Sequence, residues 1–428
     1  MQKVLASMAI AIGVACTSAE LARAADESCL LPVPQPLPLA AAEARLLLCN
    51  RELAAARNAF AAAAADRRIA GQRPNPSLTL GASNMNPHMG MGPGPLRDKT
   101  FDSSLRIEQL IERGGKPALR EQQAGALLEA ARADVFEQAR QQRLAVRNAF
   151  FDLAAAQERV RLQRDFQALA GQSAAASNQR LEAGEVSRAE ANRFRLDALR
   201  AANDARQAEA DRQRARFELA RLIGADAFAA TLEVAPVWPA PERGAPGSGE
   251  RPDVLAAQRR VTAAEAARDL ARSLATRDVT VGAQADRWPV SQTNFQGTGI
   301  SYGLTLSIPL QVRHANEGEA ARAQADLDSA RAVLERARAQ AASDALLAEE
   351  DWRAARERRL RIESEVGPAA RDVAAAAEWA YTRGATGVLD LLDARRSLKT
   401  VELDEVAARV EAAKAWARRE AAAETIEE

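Results

Sequence analysis

A chain of 428 residues has room for two or three ordinary domains, but only 4% of it is aromatic while 47% is hydrophobic, much of that alanine. So few rings exclude several globular cores and point instead to long, closely packed helices. Lys plus Arg and Asp plus Glu balance at 58 each, which removes the basic excess that nucleic-acid binding requires.

Lys3 precedes an apolar run from Val4 to Ala15, and Ala22-Arg23-Ala24 supplies a small-x-small cleavage site, so residues 1–24 read as a secretory signal peptide. A lipoprotein reading would use Cys16, but Gly13 stands where a lipobox wants leucine. No later stretch approaches the ~20 unbroken apolar residues of a membrane helix. The mature chain is therefore either soluble outside the cytoplasm or crosses a membrane as a β-barrel. Residues 25–38 form a Pro-rich leader (Pro32, Pro34, Pro36, Pro38). Cys29 and Cys49 admit two readings: a disulfide pinning the leader to the first helix in an oxidising compartment, or two independent buried thiols.

The first long unit spans 39–224. Leu39 to Gly71 reads as one helix, ended by Gly71 and Pro74-Asn75-Pro76. The period then drops to two. Leu78, Leu80 and Ala82 alternate with Thr79, Gly81 and Ser83, and Leu105 and Ile107 alternate with Ser104, Arg106 and Glu108, predicting a strand pair near 77–84 and 100–111. From Lys116 to about Leu181 there is no interior break, and 66 such residues at ~1.5 Å each would reach about 100 Å. A glycine turn follows at about 182–187, then a shorter helix from Ser187 to about Leu222. A Pro/Gly-rich linker covers 225–250.

The second unit, 251–428, repeats the first at an offset near 200. Ser77–Ala82 lies 201 residues before Asp278–Ala283, Leu105–Ile111 lies 199 before Leu304–Leu310, and Gly184 and Glu190 lie 200 before Gly384 and Asp390. Its parts are a helix from Arg251 to about Thr276, strands near 278–288 and 298–310, a long helix from Asn316 to about Thr382 with a kink or irregular turn at Gly367-Pro368, a turn at about 382–387, and a last helix from Val388 to about Glu424. Trp288, Phe101 and Tyr302 fall near the loop-side strand ends, where an aromatic girdle belongs. Four strands cannot close a membrane barrel, which needs ~8. Any barrel must be shared between copies of the chain.

Three of the five methionines cluster in Asn84 to Gly92, as Met85, Met89 and Met91 beside His88. Thioether and imidazole suit Cu(I) or Ag(I), while a flexible Gly/Pro-rich loop that happens to collect methionine is the plainer account. No nucleophile motif is present, and Gly114-Gly115-Lys116-Pro117 lacks the other residues of a phosphate loop, so the chain reads as a non-enzyme without a cofactor.

The order helix, strand pair, long helix, glycine turn, short helix, duplicated, resembles the TolC family of outer-membrane efflux channels. Pro74-Asn75-Pro76-Ser77-Leu78, Gln109-Leu110, Pro309-Leu310 and the turns at Gly184 and Gly384 carry the likeness, which covers nearly the whole mature chain. Glu108 to Lys116 resembles the heavy-metal branch, the outer component of cobalt-zinc-cadmium-type systems. The resemblance implies a mainly α fold with a small β part: a homotrimer with a helical tunnel across the periplasm and a shared twelve-strand barrel in outer-membrane lipid, docked on a periplasmic adaptor (membrane fusion protein) and an inner-membrane RND pump. The implied cargo is heavy-metal cations, with drugs or proteins exported by type I secretion as the rival class. A periplasmic adaptor and a fibrous coiled coil account for less, since neither carries two strand pairs. Carried onto this chain, the tunnel's constricted mouth would involve Tyr381, Gly384, Asp390 and Asp393, with Gly184, Glu190 and Arg193 in the first turn. An ordinary solvated helix start explains the same acids. Thr386 stands where TolC has a gate arginine, so any ion-paired lock must be built differently.

Overall fold

The computed structural model describes residues 29–85, 101–235, 238, 250–290 and 299–425, which divide into two compact units. One comprises 1–58, 134–253 and 338–428, the other 59–133 and 254–337. The signal-peptide expectation and Cys16 lie outside the described residues. In chain order the elements are α1 (Leu39–Cys49), α2 (Arg51–Ala70), β1 (Ser77–Ser83), β2 (Asp102–Ile111), α3 (Lys116–Glu182), α4 (Arg188–Leu222), α5 (Pro252–Ser273), β3 (Val279–Trp288), β4 (Gly299–Ser307), α6 (Glu317–Arg361), α7 (Gly367–Thr382) and α8 (Val388–Ala423). A 3-10 turn covers Asp226–Thr231, and a π turn, Ile362–Val366, joins α6 to α7.

The first unit is cored by aromatic and aliphatic side chains at its centre and by alanine along its length. Phe150 and Phe151 of α3 are fully buried among Leu37, Leu46, Leu219, Ile223, Leu232, Ala413 and Ala417. The Phe151 ring stacks on Trp238 at 6.1 Å and meets the edge of Trp416 at 6.5 Å. Along α8 the buried residues Ala408, Ala412, Ala413, Ala415, Ala417 and Ala421 present no side chain beyond Cβ. Helices can therefore approach closely there without large knobs, which is why so much alanine and so few rings suffice.

The expected single helix from Leu39 to Gly71 is instead two. Asn50 takes an extended backbone (ψ 127°) between α1 and α2, and its side chain explains why the break is stable. Its Oδ1 accepts from the Leu53 N–H at 2.9 Å, capping α2, while its Nδ2 donates to the Leu222 carbonyl at 2.8 Å. Asparagine competes with the helix backbone for hydrogen bonds, and here tertiary contact with the end of α4 decides the contest.

The leader is tied down as a strap. Leu37 pairs in parallel with Val234, its N–H donating to the Glu233 carbonyl at 2.8 Å and its carbonyl accepting from the Ala235 N–H at 3.0 Å. A disulfide joins Cys29 to Cys49, with Cα atoms 5.6 Å apart. Arg45 reaches back to the Cys29 and Leu31 carbonyls. Closing a loop of 20 residues removes unfolded-state entropy, so the double variant Cys29→Ser/Cys49→Ser is expected to lose ~3 kcal/mol of stability. Urea midpoints of the wild type with and without reductant, beside the variant, measure it. Equal midpoints would mean that the Leu37 contacts hold the strap unaided.

In the second unit the strands form one antiparallel sheet in the order β1-β2-β3-β4. Where β2 runs into α3, Gly114 and Gly115 both take positive φ (75° and 73°), and a Cβ on Gly114 would lie 2.9 Å from the Thr276 Cβ. This lets the Arg113 N–H and the Lys116 Nζ converge on Asp278 Oδ1 at 2.9 and 2.7 Å. Lys116 also donates to the Thr276 carbonyl at 2.9 Å. Burial pushes the Asp278 carboxyl upward, but those two donors outweigh it and hold the group below the usual carboxylate range.

Candidate functional site

Two regions concentrate the residues singled out from the sequence, one in each unit. The first is the pair of glycine turns. After α3, the Gly184 N–H donates to the Leu181 carbonyl at 3.0 Å and the Glu185 N–H to the Arg180 carbonyl at 2.8 Å; after α7, Gly384 to Tyr381 at 3.0 Å and Ala385 to Ala380 at 2.9 Å repeat the pattern. Each is a helix stop that needs a left-handed residue, and Gly184 and Gly384 supply it at φ 78° and 73°. Ser187 caps α4 by accepting from the Glu190 N–H at 3.1 Å, whereas Gly387 at the start of α8 has no side chain to offer.

Behind the turns, Phe194, Val388, Leu391 and Leu392 form a small buried cluster against which Ala174 and Tyr381 pack. The Tyr381 ring meets Phe194 edge-on at 6.2 Å, and its hydroxyl donates to Glu190 Oε1 at 3.0 Å. That bond ties the second hairpin to the first. Burial, and then the adjoining Glu190 carboxylate, push the Tyr381 phenol above its ordinary value, so it keeps its proton and remains a donor. Arg180 also faces the hydroxyl while pairing with Glu185 at 3.2 Å.

Asp390 and Asp393 are both exposed on α8, one turn apart. Their surroundings differ. Asp393 pairs with Arg396 at 3.5 Å, and Arg396 also pairs with Asp197 of α4 at 3.5 Å, while no ion pair to Asp390 is present among the described residues. Arg193 is exposed on α4. The Thr386 hydroxyl is buried and lacks a hydrogen-bond partner among the described residues, so this position holds no lock of its own.

Sequence reasoning missed the basic face beside these groups. Phe166, Leu169, Asp197, Arg200, Arg395 and Lys399 line a groove of ≈140 Å³ between α3, α4 and α8. Lys399 donates to Asp204 at 2.6 Å, and Arg395 to Ser173 at 2.8 Å and Glu378 at 3.0 Å. Arg395, Arg396 and Lys399 sit at helical spacing on α8, and besides the nearby Glu378 and Asp393 they reach Ser173, Asp197 and Asp204, about two hundred positions away in sequence. No local pattern points to those three distant partners.

The second region is the sheet. Its register places Leu78, Leu80, Leu105, Ile107, Val281, Ala283, Ala285, Tyr302, Leu304 and Leu306 on one face. Thr79, Ser104, Arg106, Glu108, Gln284, Asp286, Ser301 and Thr305 occupy the other. Arg106 donates to Gln284 at 2.9 Å across the polar face. The apolar face is uncovered, with Leu304 88% and Tyr302 83% exposed. Tyr302 lies on it, whereas Trp288 closes β3 with the parity of the polar face, so the expected girdle does not draw on Trp288. Among the described residues β1 and β4 each lack a second strand neighbour.

Of the methionine loop, Met85 is exposed beside Asn84 at φ 58°, and His88, Met89 and Met91 lie outside the described residues. No group of three or more candidate His, Cys, Asp or Glu ligands occurs among the described residues.

Residues 44–225 and 248–423 match the family model described as outer membrane efflux protein. The cobalt-zinc-cadmium resistance protein CzcC of Cupriavidus metallidurans is 28% identical over 307 residues, 71% of this chain and 72% of that one. A membrane protein from Pseudomonas aeruginosa superposes with a TM-score of 0.78 at 19% identity, covering 92% of this chain and 91% of the other. The CmeC outer membrane channel of Campylobacter jejuni gives 0.77 at 15%, covering 90% and 85%. At such identities the two structures speak to the fold alone.

Proposed function

The chain belongs to the outer membrane efflux protein family, and from that premise we propose that it is the exit duct of a tripartite RND-type system exporting heavy-metal cations. The observation that carries the duct is the sheet: an uncovered apolar face, a polar opposite face and two edge strands without a second partner among the described residues. In lipid every backbone group must be paired, so such edges are tolerable only when the sheet is closed by other copies. Three copies of four strands supply twelve, above the ~8 needed. The apolar face then meets outer-membrane lipid and the polar face lines the lumen.

At the paired turns, Tyr381 and Glu190 act as the tie that keeps the two hairpins together, and with them the mouth. Asp390 and Asp393, repeated threefold, place six carboxylates near it. Those at Asp390 are free to attract cations, while those at Asp393 are partly neutralised by Arg396. A duct performs no chemistry and takes its energy from partners, an adaptor and an inner-membrane pump. The similarity to a cobalt-zinc-cadmium resistance protein supports metal ions as the cargo.

Survival of a deletion strain on zinc, cadmium, cobalt, copper and silver salts, beside a panel of hydrophobic drugs and detergents, tests the cargo. The expected result is sensitivity confined to metals and restored by the wild-type chain. Sensitivity to drugs alone would keep the duct and overturn the metal assignment.

A further inference from the structure

The two hairpins differ in one respect that the duplication does not predict. In the first, α3 runs unbroken for 67 residues from Lys116 to Glu182. In the second, the equivalent helix is divided by the π turn Ile362–Val366, with Gly367 donating its N–H to the Ile362 carbonyl five residues back. The sequence supplies the cause. Pro368 has no N–H to give the Ser364 carbonyl and its ring crowds that position, so an ordinary α turn cannot be completed there. Gly367 fits because it has no Cβ: one would lie 3.2 Å from the Ile362 carbonyl oxygen.

One side chain fastens this turn to two other helices. The Arg409 guanidinium, on α8, donates Nε to Glu363 within the π turn at 3.0 Å and Nη1 to Glu158 of α3 at 2.9 Å, and it bonds Glu405 of its own helix. Glu405 in turn accepts from Arg371 of α7 at 3.0 Å, just past the turn. The ion pairs are partly shielded, with the Glu158 and Glu405 side chains 16% and 13% exposed and those of Arg409 and Glu363 26% and 30%. Charge-assisted bonds in such a setting are stronger than exposed ones, and removing the shared arginine would strip three carboxylates of their common partner, leaving Glu158, Glu363 and Glu405 to Arg161, Arg359 and Arg371. The turn thus combines a weakened backbone with a concentrated clasp.

We propose that Ile362–Pro368 is the pivot about which α7 and its glycine turn swing when the duct opens, and that Arg409 is the clasp holding the pivot closed. This rests on the duct reading given above. The Tyr381–Glu190 bond is then the catch at the moving end and Arg409 the restraint at the fixed end.

Conductance of the purified full chain in planar lipid bilayers tests the pivot. Tyr381→Phe, which removes the catch, is expected to raise conductance over wild type, and Arg409→Ala to raise it further in that background. Gly367→Ala/Pro368→Ala restores an N–H and stiffens the turn, and it is expected to suppress the Tyr381→Phe opening severalfold. Equal conductance of Tyr381→Phe with and without the stiffened turn would overturn the pivot while leaving the duct intact. A lack of conductance from every variant would overturn the duct reading, and the pivot with it. Hydrogen exchange gives a readout independent of opening: amides at 363–367 are expected to exchange faster than those at 163–167 in α3 and to slow in Pro368→Ala. Equal rates in the two stretches would also overturn the pivot.

Discussion

Leu304→Arg is expected to keep the protein out of the outer membrane, while Thr305→Arg, one residue along the same strand, is expected to leave insertion nearly unchanged. Leu304 ends the row Leu78–Ile107–Ala283 on the apolar face, flanked by the row Leu80–Leu105–Ala285–Tyr302 and by the pair Val281–Leu306. An arginine there must desolvate its guanidinium in hydrocarbon, costing ~2–4 kcal/mol per chain near the bilayer midplane. In a shared barrel the same penalty is incurred once for each copy. Thr305 lies on the polar face in register with Gly282 and Glu108, so an arginine at 305 points into water with a carboxylate across the gap that Gly282 leaves open. Folding into phospholipid vesicles as a function of urea, with recovery of each variant in the outer-membrane fraction, reads the difference. Equal loss for both variants would show that the sheet does not separate lipid from lumen.

Gly224→Ala is expected to be the most damaging single methyl group in the helical unit. Gly224 ends α4 at φ 62°, where the Ala225 N–H closes the helix stop on the Ala220 carbonyl at 2.8 Å. Any side chain pays ~1–2 kcal/mol for that backbone conformation. A Cβ would in addition lie 2.6 Å from the Cys49 carbonyl oxygen and 2.9 Å from its Cβ, and Cys49 is held by the disulfide to Cys29, so it cannot swing aside. Overpacking adds ~1–3 kcal/mol, for an expected total of about 3 kcal/mol or more. Gly384→Ala supplies the control: its φ is 73°, yet nothing lies within 4 Å of the added atom, so only the backbone cost of ~1–2 kcal/mol applies. Thermal unfolding of the detergent-solubilised variants, followed by circular dichroism, separates the two. Matching losses would show that the contact with Cys49 yields without cost.

Much was legible in the sequence because it rests on local rules. Period-two alternation marked both strand pairs in the sequence, while the register that assembles their faces came from the structure. Glycine is required wherever the chain must turn left-handed, so Gly184 and Gly384 marked both helix stops. Gly367-Pro368 announced an irregularity because proline cannot continue an α ladder, although its resolution as a π turn depended on neighbours.

What the tertiary structure alone decided involves partners distant in the chain. Asn50 breaks a helix that composition would continue, because Leu222 offers its carbonyl to the side chain. Tyr381 finds Glu190 at a separation of 191 residues, and Arg409 gathers Glu158 from 251 residues away. Arg396 divides itself between Asp393 and Asp197, altering the charge that two adjacent acids had suggested. By itself the sequence marked most of the places where helices and strands begin, stop and turn, the break at Asn50 excepted, because those choices depend largely on the backbone preferences and polarity of a few consecutive residues. Which charged side chain meets which, and hence where the chain is clasped and where it can bend, was decided by packing, because an ion pair depends on distance in space and leaves no period in the sequence.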